Sequence, residues 1–167
     1  STHTNNIVKI AKEANPSVEI LATRKTLPGL RYLEKEAVVH GGGQTHRMRL
    51  DDAILIKDNH LKLSNSIKES ISLSRIKYPD LMLEVEADNE EQALEIAECG
   101  ADRVMLDNFT PLDAAKTIKK LRQISNIEIE ISGGVTIENV AEYAKNTDFI
   151  SLGSLTMSSL PVDFSLH

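Results

Sequence analysis

Six short runs rich in β-branched and other apolar residues recur along this chain, at residues 18–23, 53–57, 82–86, 103–106, 127–131 and 149–152. Helix-periodic stretches separate most of them. Nearly continuous apolar strands are covered on both faces, and strands that alternate with amphipathic helices pair in parallel through crossover connections. The pattern therefore predicts a parallel sheet under helices, either curled into a barrel or open and doubly wound. Helical stripes are carried by Leu30, Leu33, Glu34 and Ala37 after Pro28-Gly29, where Pro suits a first turn. Two more run through Ala93, Leu94, Ile96 and Ala97, and through Ala114, Ala115, Ile118 and Leu121. Thr136 before Ile137, Glu138, Asn139 and Val140 signals another helix, and Thr4 before Ile7, Val8, Ile10 and Ala11 an opening one. No linker or low-complexity segment divides the pattern, so residues 1–167 are expected to form one α/β domain.

Polar residues at the strand ends choose between the two architectures. The six runs lead into Thr23-Arg24-Lys25, Lys57-Asp58-Asn59, Glu86, Asp107-Asn108, Ser132-Gly133-Gly134 and Gly153-Ser154. An open sheet gathers its ligand at one switch point, whereas a barrel draws site residues from the carboxyl ends of many strands. The expectation is an incomplete, open α/β barrel of about six parallel strands. Gly133-Gly134 and Gly153 resemble the phosphate loops that barrels build after their final strands, although tight turns alone would also explain glycine there. Glu84 and Glu86 stand at strand spacing and share a face; if that face is the barrel interior, each carboxylate needs a cation. Asp107 closes the next strand. Glu86 and Asp107 together could hold Mg²⁺ with waters or bond sugar hydroxyls; the structural alternative is that Asp107 only caps a helix starting near Thr110-Pro111.

Charge narrows the function. The net charge of −6 argues against broad nucleic-acid binding, yet Arg24, Lys25, His46, Arg47 and Lys57 gather within one segment. Cations concentrated against the global charge suggest a specific anion site. His46-Arg47 follows three glycines, Gly41 to Gly43, which suggests a loop that approaches a ligand closely. Lys57 could instead snorkel, or serve as a Schiff-base lysine. A zinc site from His40, His46 and His60 matches no common ligand spacing. The lone Cys99, before Gly100, reads as a packed thiol, and no apolar run has membrane-spanning length, so a soluble cytoplasmic protein is expected.

Six motifs in order, Thr23-Arg24-Lys25-Thr26-x-Pro28-Gly29, Gly41-Gly42-Gly43-x-x-His46-Arg47, Ile56-Lys57-Asp58-Asn59-His60, Glu84-Val85-Glu86, Leu106-Asp107-Asn108 and Ser132-Gly133-Gly134, carry a resemblance. The chain resembles the barrel domain of quinolinate phosphoribosyltransferase, the carboxylating nicotinate-nucleotide pyrophosphorylase, a type II phosphoribosyltransferase-like fold. The resemblance implies transfer of phosphoribosyl from phosphoribosyl pyrophosphate to quinolinate with Mg²⁺, releasing pyrophosphate and CO₂ and giving nicotinate mononucleotide for NAD synthesis. It implies that Arg24, Lys25, His46, Arg47 and Lys57 receive the two carboxylates of quinolinate. Glu86 and Asp107 would serve the ribosyl half and Mg²⁺, while Ser132, Gly133, Gly134, Gly153 and Ser154 would hold phosphate. Lys57, Glu86 and Asp107 would be the catalytic groups, and Lys57 or its neighbours could stabilise the ylide left by CO₂ loss.

Two features depart from the family pattern. Residues 1–167 are expected to correspond to the barrel domain alone, without the family's N-terminal α/β domain, and the resemblance implies that a partner's N-terminal domain donates an arginine in a homodimer or higher oligomer. The resemblance thus implies weak or no activity for this piece by itself. Met157 follows Leu155-Thr156 where the family often has histidine. Three other readings remain open at this stage: a molybdenum-transport-associated relative with the same Thr-Arg-Lys-Thr and Gly-Gly-Gly-x-x-His-Arg elements, a sugar-phosphate aldolase using Lys57, and a non-catalytic anion-binding module.

Overall fold

The six expected strands form one sheet, β1 (Glu19–Ala22), β2 (Ile54–Ile56), β3 (Leu83–Ala87), β4 (Arg103–Asp107), β5 (Glu128–Ser132) and β6 (Phe149–Leu152). This is a computed structural model, which describes residues 1–64, 66–158 and 165. Every pairing is parallel, in the order β1-β6-β5-β4-β3-β2. The edges β1 and β2 do not pair with each other, and a single bridge from Leu21 to Gln44 extends the sheet past β1. One cavity nevertheless touches the ends of both edge strands and of β4, β5 and β6, so the sheet curls into a barrel left open at the β1/β2 seam.

Strand alternation sorts the side chains onto two faces. Leu83, Val85, Val104, Leu106, Ile129, Ile131 and Ile150 pack into the apolar core beneath the helices. Each such side chain, fully buried, contributes about 1.5–3 kcal/mol relative to exposure. Glu84, Glu86, Arg103, Met105, Glu130 and Ser151 occupy the alternate positions and are buried outside that core cluster. The barrel interior is therefore mostly polar, and its order depends on charge pairing.

The helices are α1 (Thr2–Ala14), α2 (Arg31–His40), α3 (Asp58–Leu61), α4 (Ile67–Lys77), α5 (Glu90–Glu98), α6 (Pro111–Ile124) and α7 (Val140–Ala144), followed by a 3-10 turn, Gly153–Leu155. Side-chain caps stop the strand-to-helix loops at fixed points: Asn89 Oδ1 accepts from Gln92 N–H at 3.0 Å and Thr110 Oγ1 from Asp113 N–H at 3.2 Å. Each cap is worth about 1 kcal/mol. Thr110, with Pro111 at the first helical position, does the capping of α6, which leaves Asp107 free of that task.

Several local expectations change. The apolar stripe placed on α2 is not its buried face: Leu33 is 63% exposed, whereas Lys35 and Val38 are buried, because Lys35 finds backbone acceptors inside. Pro28-Gly29 lies in a turn ahead of α2, Thr4 is buried within α1 instead of opening it, and Ala115 is exposed while Thr117 faces the core. Thr136 precedes a turn over residues 137–139, and α7 starts only at Val140. The glycines before His46 have a packing reason: a Cβ at Gly41 would stand 2.6 Å from Ser1 O, and one at Gly43 2.8 Å from Val38 Cγ1. None of the three lines the cavity.

Candidate active site

A cavity of about 600 Å³ opens at the carboxyl ends of the strands. Arg24, Lys25, His46, Arg47, Lys57, Asp107, Ser132, Gly133, Gly134 and Gly153 all line it. Of the residues expected there, Glu86 and Ser154 do not form the wall. Glu86 instead lies behind Lys57, whose Nζ donates to Glu86 Oε2 at 2.9 Å.

The basic wall comes from two segments. Arg24 and Lys25 leave β1, and the turn before β2 brings His46 and Arg47 onto the same cavity. Among the described residues neither Arg24 nor Arg47 has a carboxylate in ion-pairing reach, and the Nε of each is a buried donor without a partner. Arg47 is steadied by one bond from Nη1 to Ala53 O at 3.1 Å, and burial holds its pKa below the usual guanidinium value. Buried donors left unmatched are costly unless an acceptor arrives, and a guanidinium matches a carboxylate in two-point geometry. Thr156 Oγ1 donates to Lys25 O at 2.6 Å, tying this wall to the loop after β6.

His46 adopts a left-handed backbone, with φ of 49°. That turn aims its ring inward, where Nε2 stands 3.0 Å from Glu84 Oε2 and 3.2 Å from Glu130 Oε2, while Nδ1 accepts from the Arg47 N–H at 2.7 Å. Burial would lower the histidine pKa, but Glu130 and Glu84 outweigh it and raise it to about 9. Burial and the charge of Glu130 push Glu84 up to about 7. Glu130, despite its own burial, is held below the usual carboxylate range by His46. Arg103 closes the network from below, with Nη1 3.3 Å from Glu130 and Nη2 2.7 Å from Glu128. The cations expected for Glu84 and Glu86 are thus His46 and Lys57.

The acidic wall is built around Asp107. Asn108, also left-handed at φ 57°, donates from Nδ2 to Asp107 Oδ2 at 2.6 Å. Burial raises the pKa of Asp107, with Lys57 and Lys25 pulling the other way. Gly133, at φ 78°, lets β5 turn tightly against this pair: a Cβ there would meet Asn108 Cγ at 2.6 Å and Asn108 N at 2.8 Å. Gly134, at φ 63°, has open space around its Cβ position. Met157 N–H donates to Gly153 O at 2.8 Å, which puts this methionine on the cavity lip.

Among the described residues, one group has the spacing to hold a metal ion, His46, Glu84 and Glu130, whose ligand atoms lie within 4.8 Å of one another. Oε2 of each glutamate already bonds the ring nitrogen, with Arg103 also reaching Glu130 Oε2, while Oε1 of each is buried without a partner among the described residues; an imidazole suits Zn²⁺ better than Mg²⁺. His40 and His60 are not part of it; His60 Nδ1 accepts from the Lys57 N–H at 3.0 Å. For a hard cation the fitting donor is Asp107, a half-buried carboxylate disfavoured in its charged form by burial and therefore receptive to positive charge.

The family model for quinolinate phosphoribosyl transferase, C-terminal domain, matches residues 1–167. The chain belongs to that family. It is 46% identical, over 99% of its length and 61% of the relative's, to a probable carboxylating nicotinate-nucleotide pyrophosphorylase of Methanocaldococcus jannaschii. With the carboxylating nicotinate-nucleotide pyrophosphorylase of Rattus norvegicus it shares 39% identity, over 95% of this chain and 54% of that one. The solved nicotinate-nucleotide pyrophosphorylase of Francisella tularensis superposes with a TM-score of 0.87 at 34% identity, covering 93% of this chain and 55% of that chain. The chain thus spans between about half and two thirds of the length of these relatives.

Sequence reasoning missed Glu130, Arg103 and Lys35. The first had a readable signal, since Ile127 to Ile131 alternates Ile and Glu and puts Glu128 and Glu130 on one strand face, as Glu84 and Glu86 are on theirs. Arg103, at the start of β4, offers only its register opposite Glu84 and Glu128. Lys35, between Glu34 and Glu36 on a helix, offers none.

Proposed function

We propose that this chain carries the substrate site of a quinolinate phosphoribosyltransferase, joining quinolinate to phosphoribosyl pyrophosphate with loss of pyrophosphate and CO₂. One observation carries the reading: a single cavity is lined both by Arg24 and Arg47, each with a buried guanidinium Nε left unpartnered among the described residues, and by Asp107 and the glycine loops. A flat dicarboxylate matches the first wall. The Arg24, Lys25, His46, Arg47 and Lys57 side receives quinolinate. Backbone amides around Ser132, Gly133, Gly134, Gly153 and Ser154 receive the 5′-phosphate, so that the ribose lies between the two. As pyrophosphate departs, the anomeric carbon gains positive charge, and Asp107, with Glu86 behind Lys57, stabilises it. Mg²⁺ held through Asp107 would neutralise charge on the leaving pyrophosphate. His46, its ring held by Glu84, Glu130 and the Arg47 N–H, adds positive charge to the quinolinate side of the cavity rather than a free donor.

The same reading places the protein in the cytoplasm as a homodimer or higher oligomer, with no nucleic-acid or membrane partner; among the described residues no helix is long and apolar enough to cross a membrane. The aldolase alternative loses support because Lys57 is engaged by Glu86, whereas a Schiff-base nucleophile needs a free amine. Calorimetric titration with quinolinate and with phosphoribosyl pyrophosphate in Mg²⁺ tests the proposal. Arg47→Ala should weaken quinolinate binding by about 2–4 kcal/mol and phosphoribosyl pyrophosphate binding much less. Asp107→Asn should show the opposite bias, and equal losses for both ligands in both variants would contradict the division of the cavity.

A further inference from the structure

Lys35 is 1% exposed, yet no carboxylate of the described residues is ion-paired with its ammonium, whose partners are backbone carbonyls. Its Nζ donates to Ala22 O at 2.7 Å, to Arg47 O at 3.1 Å and to Thr45 O. Ala22 closes β1 just before Thr23-Arg24-Lys25, and Thr45 and Arg47 flank His46. One side chain therefore joins the two segments that carry the basic wall. Three carbonyls satisfy the three N–H donors but bring only partial charges. The full positive charge is left near Arg31 on its own helix, Arg24 after β1 and Arg47 in the turn before β2, with Asp52 of that turn opposing. Pinning a loop needs donors and no charge; an amide could do it without desolvating a cation. An anion received by the cavity would account for the charge.

We propose that Lys35 is a positioning residue for dicarboxylate recognition: it fixes Arg24 and the His46-Arg47 turn on one wall and holds a buried positive charge that a bound planar dianion balances. This rests on the reading of the cavity as a quinolinate site. Burial and then the charges of Arg31, Arg24 and Arg47 lower the Lys35 pKa to about 8. A dianion nearby raises it again, so binding above that pH takes up a proton and affinity falls as the pH climbs. His46, on the same wall, titrates at about 9, so the share of Lys35 must be read as a difference between proteins.

The test is calorimetry of wild type, Lys35→Met and Lys35→Gln with quinolinate and with phosphoribosyl pyrophosphate, at about pH 8.5 in buffers of differing ionisation enthalpy. Lys35→Met should weaken quinolinate binding by about tenfold or more and leave phosphoribosyl pyrophosphate binding within about twofold. Lys35→Gln, which keeps donors without charge, should recover part of the affinity but show less proton uptake than wild type. Unchanged quinolinate affinity and proton uptake in both variants would overturn the proposal. Failure of the wild type itself to bind quinolinate removes the dicarboxylate reading and this inference with it, and is visible before any substitution. Should the variants not fold, ε-carbon NMR of wild-type lysines answers instead: one midpoint near pH 8 should move upward in saturating quinolinate, and an unmoved midpoint overturns the role.

Discussion

Gly133→Ala tests how the acidic wall is held. The new methyl would sit at φ 78°, 2.6 Å from Asn108 Cγ and 2.8 Å from Asn108 N. Left-handed backbone costs an alanine about 1–2 kcal/mol. Asn108 must also move, which loosens its 2.6 Å bond to Asp107 and the 2.9 Å bond from its N–H to Ser132 O. At roughly 0.5–1.5 kcal/mol for each of the two bonds, the combined destabilisation is about 2–5 kcal/mol. For a chain of this size that lowers Tm by roughly 4–20 °C. Gly134→Ala is the internal control, because it has φ 63° but no atom within 4 Å of the Cβ position. It should lose only the backbone part, about 1–2 kcal/mol. Thermal melts followed by circular dichroism measure the difference, and calorimetry should show phosphoribosyl pyrophosphate binding weakened in Gly133→Ala with quinolinate binding retained. Equal Tm losses in the two variants would refute the idea that Asn108 is braced by the missing side chain.

Arg103→Met removes one of the two cations paired with a fully buried Glu130, His46 being the other, and also the stacking of the guanidinium 3.7 Å from the Phe149 ring centroid. Denaturant titration should show a loss of about 3–5 kcal/mol, most of it recovered by adding Glu130→Gln; a loss under about 1 kcal/mol would show the pair to be dispensable. Because Glu84 and His46 have folded pKa values of about 7 and about 9, above their unfolded ones, the stability they add is full at low pH and is lost as pH rises through those values. Lys35, held at about 8, has the opposite sign above that pH. Melts should therefore fall between about pH 6.5 and 8 and flatten beyond, with His46→Gln reducing the slope; a wild-type Tm that rises across that interval would exclude the assignment. Asp107→Asn should not lower Tm, since burial disfavours the charged carboxylate it replaces, and a clear drop would mean that its ionised form holds the fold.

The strand number, their parallel sense and the wall residues Arg24, Lys25, His46, Arg47, Lys57 and Asp107 were all legible in the sequence, because apolar periodicity and polar strand ends are local patterns. The reason for Gly41 and Gly43 was not, since the contacts that require them come from Ser1 and Val38. Glu130 was half legible, visible as an alternation but without its partner. Lys35 could not be read at all: a lysine between two glutamates on a helix is ordinarily solvated, and its burial depends on a loop about ten residues later folding over it and offering carbonyls. Periodicity in the sequence determined which residues reach the rim. Which charges meet there, His46 with Glu84 and Glu130, Lys57 with Glu86, and Lys35 with no carboxylate among the described residues, was decided only by the closure of the sheet, because ion pairing depends on distance through space and strand order does not state it.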